Sequence, residues 1–179
     1  MDKLQEMRDA VLYNKRQRGE KSEQFSVRKA RSEDSMDVLR WRNDPIACAM
    51  SRHHEKVSEE DHAAWYPRAI SDTERLLFIG FLEGEKIGVV RFDRNSASSW
   101  EVSITLAAEM RGQNLGRRFL TMALEQLNVV SPSTSVLAVI RINNKVSLRL
   151  FQNLGFKLDS NKGELMTLIL TLDSDSLCF

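Results

Sequence analysis

The sequence lacks most of the features that mark specialised folds or binding classes. Only two of its 179 residues are cysteines, Cys48 and Cys178, which excludes a disulfide framework and a cysteine-rich metal site and suits a reducing cytoplasm. The formal net charge is only +1, so we expect no nucleic-acid partner held by bulk electrostatics. No apolar run approaches the roughly 20 residues that span a bilayer, and the charged N-terminus is unlike a secretory signal. We therefore expect a cytoplasmic protein that does not act in a membrane.

Two regions of different composition are predicted along the chain. Residues 1–24 are rich in charge and carry an apolar stripe from Leu4 to Leu12 at helical spacing, so we interpret them as an appended helix or a mobile arm. Residues 25–179 are predicted to form one folded domain. The whole chain is 42% hydrophobic and 28% charged, which is ordinary for a globular protein with a substantial core.

Hydrophobic spacing predicts a mixed α/β (α+β) domain. Strict alternation from Trp100 to Leu106 indicates a strand, whereas the apolar residues from 115 to 127 recur with helical spacing. A Glu83-Gly84-Glu85 link between two strand-like runs predicts a hairpin. The predicted order is strand, two helices, three strands, helix, strand, helix and two strands. The predicted strands lie at 25–30, 75–82, 86–93, 100–106, 135–142, 156–158 and 165–172.

The helix boundaries are predicted from capping residues and prolines. Ser32 is expected to cap a first helix that Pro45 stops, and Ser58 a second helix that ends before Pro67. In the first helix the apolar positions are expected to be Met36, Leu39 and Trp41. The last two predicted helices begin near residue 115 and at residue 145, and Gly155 closes the second of them.

A loop rich in glycine and arginine joins the strand that ends near Leu106 to the next helix. Residues 111–117 read Arg-Gly-Gln-Asn-Leu-Gly-Arg. A loop at a helix start presents backbone N–H groups and the positive end of the helix dipole, and Gly112 and Gly116 allow an anion to come close. The pattern fits a pyrophosphate seat and a plain tight turn equally well. It is neither a Walker loop nor the dinucleotide fingerprint.

A second motif, about thirty residues later, favours the anion seat. The next predicted helix opens with Asn-x-x-Ser and closes with Gly-Phe. Taken together, the two motifs resemble those of the GCN5-related N-acetyltransferase (GNAT) superfamily, and the resemblance spans residues 25 to about 172. The matching residues are Arg111, Gly116, Asn144, Ser147, Gly155 and Phe156.

The resemblance implies a GNAT fold and N-acetyltransferase activity with acetyl-CoA as the co-substrate. By this resemblance the loop would hold the coenzyme A pyrophosphate, and backbone groups of the preceding strand would bind the pantetheine arm where two strands splay apart. Asn144 would bind the cofactor, although it also fits a plain helix N-cap. The implied cofactor-binding residues are Ile104, Leu106, Arg111, Gly112, Gln113, Asn114, Leu115, Gly116, Arg117, Asn144 and Ser147.

Two residues depart from the family pattern. Asn114 stands where a glycine is usual, and because asparagine tolerates positive φ better than other non-glycine residues, we expect the turn to survive. Phe151 stands where many members carry a tyrosine that protonates the departing thiolate. Phenylalanine cannot donate that proton, so water or another residue must supply it.

Glu101 is the candidate general base. The attacking amine must be neutral, so the ammonium of the acceptor has to lose a proton first. Glu101 lies at the start of the predicted central strand on its polar face, where the superfamily often keeps a glutamate that acts through a water. A solvent-facing strand carboxylate without a catalytic role fits the same position equally well.

The acceptor side resembles one subgroup of the superfamily. A Trp-Arg-Asn-x-Pro segment, a following Met and a Ser-x-Glu-x-His helix start are similar to N-acetyltransferases that act on UDP-linked 4-amino-4,6-dideoxy sugars in pseudaminic acid synthesis. That resemblance implies a nucleotide-sugar pocket lined by Arg42, Met50 and His62. An arginine there suits a diphosphate, which it grips with two hydrogen bonds.

Two alternatives to the nucleotide-sugar enzyme remain at the level of sequence. The early helix is also similar to enzymes that acetylate the N-termini of ribosomal proteins, and a non-catalytic acyl-CoA-binding module fits the loss of tyrosine at Phe151. We expect no metal, because adjacent histidines such as His53 and His54 without further ligands are typical of a solvated loop. Arg52, Lys56 and Arg94 are interpreted as scattered surface bases rather than phosphate ligands.

Overall fold

A seven-stranded mixed sheet forms the centre of the computed structural model, which describes residues 24–52 and 54–172. The predicted arm at residues 1–24 therefore lies, apart from Gln24, outside the described residues. The strands are β1 (Phe25–Lys29), β2 (Arg75–Leu82), β3 (Glu85–Ser96), β4 (Ser99–Leu106), β5 (Ser135–Arg141), β6 (Lys157–Lys162) and β7 (Leu165–Thr171). The helices are α1 (Ser35–Arg42), α2 (Pro45–Met50), α3 (Glu59–Ser71), α4 (Leu115–Val130) and α5 (Lys145–Asn153), with short 3-10 turns at Ser32–Asp34 and Ala108–Met110.

The strands lie in the order β1-β2-β3-β4-β5-β7-β6. Five of the neighbouring pairs are antiparallel, and β4 with β5 is the parallel pair. The predicted hairpin is confirmed: Glu83 and Gly84 both have positive φ, 52° and 86°, as a two-residue turn with the right twist requires. The mixed α/β fold class expected from the sequence is therefore confirmed.

Helices cover the sheet on both faces. One face, which we call the α4 face, carries Phe92 and Val102 and packs against the apolar sides of α4 and α5. The opposite face, the α1 face, carries Leu77 and Val89 and packs against Trp41 of α1 and residues of α3. The strand register therefore assigns each strand residue of the candidate site to one face or the other.

The helical stripe predicted after residue 114 is the main contact of α4 with the sheet. Its members are at most 8% exposed: Leu115, Phe119, Leu120, Ala123, Leu124 and Leu127. Burial of a leucine or phenylalanine side chain of this kind contributes roughly 1.5–3 kcal/mol. The stripe therefore fixes the start of α4 against the end of β4.

Of the two proline predictions, the helix stop at Pro45 is confirmed and the helix end before Pro67 is wrong. The first helix does end before Pro45, but Pro45 is the first residue of a further short helix, α2, because a proline at that position loses no intrahelical hydrogen bond. Asp44 caps α2, and its carboxylate accepts from the N–H groups of Ile46 and Ala47 at 3.0 Å each. Pro67 lies inside α3 rather than after it, and the buried Ala69 beyond it holds the last turn on the sheet.

The start of the first helix also differs from the prediction. Ser32 lies within a 3-10 turn, and Asp34 rather than Ser32 organises it, because its carboxylate accepts from the Arg31 N–H at 2.8 Å. Met36 was expected to face the core but is 61% exposed, whereas Leu39 and Trp41 are buried. At α3 the prediction is confirmed, since the Ser58 hydroxyl accepts from the Asp61 N–H at 3.0 Å.

Asp34 is a fully buried carboxylate that ties three elements together. Arg28 of β1 donates to it at 2.6 and 3.0 Å, and Lys86 of β3 lies 2.8 Å away. Burial opposes the ionisation of Asp34, but the hydrogen bonds from Arg28, Lys86 and the Arg31 backbone outweigh it and lower its pKa to about 2. This cluster anchors the start of α1 to the sheet.

We predict that Asp34 stabilises the fold above about pH 4 and loses this effect as the pH falls through 2. Its folded pKa lies below the ordinary value of 3.8, so the stabilisation is fully present above the unfolded pKa. The difference corresponds to about 2 kcal/mol. Asp34→Asn should therefore lower the free energy of unfolding in urea near pH 7 by about this amount, and the two proteins should converge near pH 2.

The exposed Asp159 supplies a matched control, because Asp159→Asn removes a carboxylate without a buried partner. It should leave the stability unchanged at both pH values. A loss for Asp34→Asn that is equally large at pH 2 and pH 7 would show that the cost is steric rather than electrostatic.

Candidate active site

The parallel strands β4 and β5 separate after three residues. Ser99–Glu101 pairs with Ser135–Leu137, after which β4 runs on to Leu106 paired with β3 and β5 runs on paired with β7. Within the described part of the chain, the β5 side of β4 beyond Glu101 has no ladder partner. An open strand edge of this kind can bind an extended ligand as an added strand.

The loop from Arg111 to Asn114 places two residues in the left-handed region. Gly112 has φ 75° and Asn114 has φ 59°. Asn114 is the N-cap residue of α4, with ψ 14°. The expectation that the turn survives the replacement of glycine by asparagine is therefore confirmed.

The start of α4 presents backbone donors without protein acceptors. The first N–H groups of any helix lack an intrahelical partner, and Asn114 makes no side-chain capping bond here. The backbone N–H groups of residues 112–117 donate to no acceptor in residues 24–52 and 54–172 apart from those within α4. The first turn also contains no acidic residue, so the dipole of α4 and the exposed Arg117 make this a cationic site that suits a phosphate or pyrophosphate.

The two glycines of the loop, Gly112 and Gly116, differ in their backbone conformation and in their surroundings. A Cβ atom at Gly112 would meet nothing within 4 Å, so its positive φ is what requires glycine. At Gly116 a Cβ would lie 3.4 Å from Leu150 and 3.7 Å from Leu106. These are ordinary van der Waals distances, so Gly116 lies packed beside α5 and β4 in a space that would also accept a Cβ atom, whereas Gly112 borders open space.

The Arg111 side chain is held within the protein. Its guanidinium lies 2.7 Å from the Asp44 carboxylate and donates to the Leu106 carbonyl at 3.1 and 3.3 Å. Burial raises the pKa of Asp44, but the Ala47 N–H and the Arg111 guanidinium outweigh it and hold that pKa below its usual range. Arg111 thus joins the end of β4 to the loop between α1 and α2, and the Leu106 carbonyl is already engaged.

Asn144 and Ser147 lie at the start of α5. The Asn144 side-chain oxygen accepts from the Ser147 N–H at 3.1 Å, so Asn144 is the N-cap of this helix. The Asn144 backbone N–H donates to the Arg141 carbonyl at 2.9 Å. No described protein group accepts from its side-chain Nδ2, which leaves that donor for a ligand. The helix-cap role and a ligand-binding role are therefore compatible at Asn144.

Among the described residues, no tyrosine lies on the Phe151 side of the sheet. Phe151 is 3% exposed and packs edge-on against Phe156, with ring centroids 5.0 Å apart. Tyr66 is buried on the other face of the sheet and donates to the Arg31 carbonyl at 2.9 Å, and burial raises its pKa. The second tyrosine, Tyr13, lies outside the described residues.

Glu101 lies where β4 and β5 part, on the α1 face. It stands opposite Leu137 on β5 and opposite Asp93 on β3, and Asp93 stands opposite Arg75 on β2. Asp93 forms ion pairs with Arg75 and, at 2.8 Å, with Arg91. Two carboxylates therefore share one row of the sheet, and arginines offset the repulsion between them.

Arg52 was interpreted from the sequence as a scattered surface base, but it contacts Glu101. Its guanidinium donates to one Glu101 carboxylate oxygen at 2.5 Å. The two residues are 49 positions apart, and no local pattern signals their contact. Arg52 lies in the segment after α2, so this ion pair connects the helical layer to the point where the strands separate.

The three predicted substrate residues do not form one cluster. Arg42, at the end of α1, contacts the Cys48 sulfur at 3.5 Å and the Glu55 carbonyl at 3.4 Å, and Met50 ends α2 nearby. His62 is 3% exposed and bonds the Ser35 carbonyl at 2.8 Å. Ser35 and Arg42 are the two ends of α1, about 10 Å apart along its axis, so His62 packs away from Arg42.

His62 has the properties of a core residue. Its ring lies among Trp65 and Tyr66, with centroids 5.6 and 5.2 Å away. Burial lowers the pKa of His62, an effect that the Ser35 carbonyl partly offsets. The neutral imidazole therefore donates its Nε2 proton to Ser35 and fixes α3 against α1.

Residues 24–52 and 54–172 contain neither a metal-binding cluster nor a membrane-spanning helix. No group of three histidine, cysteine, aspartate or glutamate side chains there is arranged to hold a metal ion. None of the helices in the same residues is both long and apolar enough to cross a membrane.

Solved structures with the same fold include several acetyltransferases. A spermidine N-acetyltransferase from Vibrio cholerae in complex with CoA and spermine is 16% identical, with 83% of this chain and 95% of that chain covered and a TM-score of 0.73. The N-acetyltransferase PseH from Campylobacter jejuni in complex with acetyl coenzyme A is 15% identical, with coverages of 83% and 99% and a TM-score of 0.64. At these identities the likeness shows the fold alone.

The family is shown by the sequence itself. No curated protein matches the chain significantly, but a family model described as an acetyltransferase (GNAT) domain matches residues 24–157, well over half of the chain. That range contains the open edge of β4, the loop before α4 and the start of α5. The chain therefore belongs to the GNAT acetyltransferase family, and it is an acetyl-CoA-dependent N-acetyltransferase.

Proposed function

We propose that the enzyme transfers the acetyl group of acetyl-CoA to the amine of a nucleotide-linked amino sugar, with Glu101 as the general base. The observation that carries this proposal is the position of Glu101. It is the last β4 residue paired with β5, so its carboxylate lies beside the opening in which the thioester would be held.

The proposed path of acetyl-CoA follows the donors that lack protein acceptors. The pyrophosphate would bind the amides of residues 112–117, supported by the exposed Arg117. The pantetheine arm would pair with the open edge of β4 near Ile104. Ser147 and the side-chain nitrogen of Asn144 would line the other side of the channel. Arg111 would act by holding the loop, because its guanidinium is bound to Asp44 and Leu106.

The proposed chemistry needs one base and a polarising donor. Glu101 takes a proton from the acceptor ammonium through a bridging water, and the neutral amine attacks the thioester carbon. A backbone N–H of the open β4 edge polarises the thioester oxygen. The C–S bond breaks as the C–N bond forms, and the thiolate receives the second amine proton through water, since Phe151 has no proton to give.

The charge around Glu101 favours an anionic acceptor. Three arginines, Arg52, Arg75 and Arg91, surround two carboxylates, Asp93 and Glu101. A polyamine, which is the ligand named for the Vibrio cholerae structure, would be repelled by this excess of positive charge, whereas a diphosphate would be attracted.

A peptide N-terminus is the second candidate acceptor, because the early helix also resembles enzymes that act on ribosomal proteins. The ion pairs of the α1 face favour it less, because basic peptides carry the wrong charge. An acidic N-terminal sequence would suit the same arginines, so peptides of both charges belong in the acceptor test.

The turn at Asn114 gives a test of the cofactor site. Asn114→Val should destabilise the protein by about 1–2 kcal/mol and weaken CoA binding roughly tenfold, because a β-branched residue resists the left-handed conformation that aims the loop amides. Asn114→Gly keeps that conformation and should bind CoA like the wild type. Calorimetric titration with CoA and thermal unfolding would measure both effects, and wild-type behaviour of Asn114→Val would contradict the proposed seat.

The proposed acceptor is tested by thiol release from acetyl-CoA. We expect turnover with a UDP-linked 4-amino sugar and little or none with spermidine or with basic peptides. Turnover confined to spermidine, or to peptides, would overturn the sugar assignment. Glu101→Gln should reduce kcat on the preferred acceptor by about 100-fold or more. It should also remove the fall in kcat at low pH that protonation of a general base causes.

A control for Glu101→Gln is available on α4. Glu125 is exposed and far along the helix from its start, so Glu125→Gln makes the same chemical change outside the site. It should leave kcat unaltered. Equal rates for Glu101→Gln and Glu125→Gln would remove Glu101 as the base.

A further inference from the structure

Arg52 is bound to the residue that the proposed mechanism uses as a base. Its guanidinium donates to one Glu101 oxygen at 2.5 Å, and Glu101 is its partner among residues 24–52 and 54–172. This contact engages one of the two carboxylate oxygens that could accept from the bridging water. The positive charge of Arg52 also repels the ammonium group of an approaching acceptor.

The Arg52 side chain can leave Glu101 without disturbing the core. The Arg52 side chain is 43% exposed and that of Glu101 is 33% exposed, and the segment that carries Arg52 follows the end of α2. Leaving costs little, because a solvent-exposed ion pair of this kind contributes little to stability. A phosphate or diphosphate offers the guanidinium a stronger two-bonded partner than a single carboxylate oxygen.

The rest of the row supports Glu101 when Arg52 moves. Asp93, directly opposite Glu101, is already paired with both Arg75 and Arg91. These three residues together keep one positive charge in excess beside Glu101. The carboxylate would therefore remain accompanied by positive charge without Arg52, while both of its oxygens become available to the water.

We propose that Arg52 is a positioning residue that couples acceptor recognition to the base: it holds Glu101 while no acceptor is bound, and the anionic group of the acceptor draws its guanidinium away. This inference rests on the proposed function for the role of Glu101. It explains why Arg52 donates to Glu101, the proposed base, rather than to another group on the α1 face. An amine without an anionic group leaves the ion pair intact and is acetylated slowly.

The test compares Arg52→Gln with the wild-type full chain on two acceptors. With the UDP-linked 4-amino sugar, the KM should rise about 10- to 100-fold, the value of a lost hydrogen bond to a charged group, while kcat stays similar. With 2-phenylethylamine, which has no anionic group, kcat/KM should rise about fivefold, because the base is already free and one repelling charge is gone. Arg52→Lys should restore most of the sugar KM.

The rise with 2-phenylethylamine separates this role from a structural one, since a damaged fold lowers both activities. Arg68→Gln is the matched control, because the exposed Arg68 donates to the Ala64 carbonyl of its own helix, and it should change neither acceptor. Parallel loss on both acceptors, no change on either, or no turnover of 2-phenylethylamine by Arg52→Gln would overturn the inference. A rise with 2-phenylethylamine alongside no turnover of the sugar by either protein would support the role of Arg52 and overturn only the proposed acceptor.

Discussion

The short parallel pairing of β4 and β5 is the constraint on which the site depends. Because the pairing stops at Glu101 and Leu137, the second half of β4 keeps a free edge as far as Leu106, where the chain leaves the sheet and enters the loop before α4. The same divergence brings an unpaired strand edge, the unpaired amides of a helix start and a carboxylate to one place. An extended thioester with a pyrophosphate at one end matches all three, and this is the chemistry of the GNAT family.

Two different forces position the two halves of the site. On the α4 face, apolar packing holds α4 and α5 against the sheet, and Leu115 in the first turn of α4 belongs to the same core. On the α1 face, ion pairs link the helical layer to the sheet: Asp34 with Lys86, Asp44 with Arg111, and Arg52 with Glu101. The cofactor half is therefore built into the core, whereas the acceptor half depends on charges that a ligand can rearrange.

The local structure of the proposed cofactor half is easier to predict from the sequence than that of the proposed acceptor half, for a physical reason. Glycine, capping residues and apolar spacing act over a few residues, so the strand before Leu106, the turn at Asn114 and the cap at Asn144 are visible locally. The partner of Arg52 is 49 residues away and depends on how α2 lies over the sheet, which no local pattern encodes. The same limit explains His62, whose helix start was predicted correctly while its side chain turned out to face Ser35, and Pro45, where a helix stop and a helix start have the same signature.

In the proposed mode of binding, the open edge of β4 and the loop before α4 hold one molecule of coenzyme A. Hydrogen exchange of the backbone amides, measured with and without CoA on the full chain, tests this directly. We expect saturating CoA to slow the exchange of two sets of amides together, those on the β4 edge beyond Glu101 and those of residues 112–117, by about tenfold or more. Protection of the loop with no change along β4, or protection confined to other strands, would contradict it.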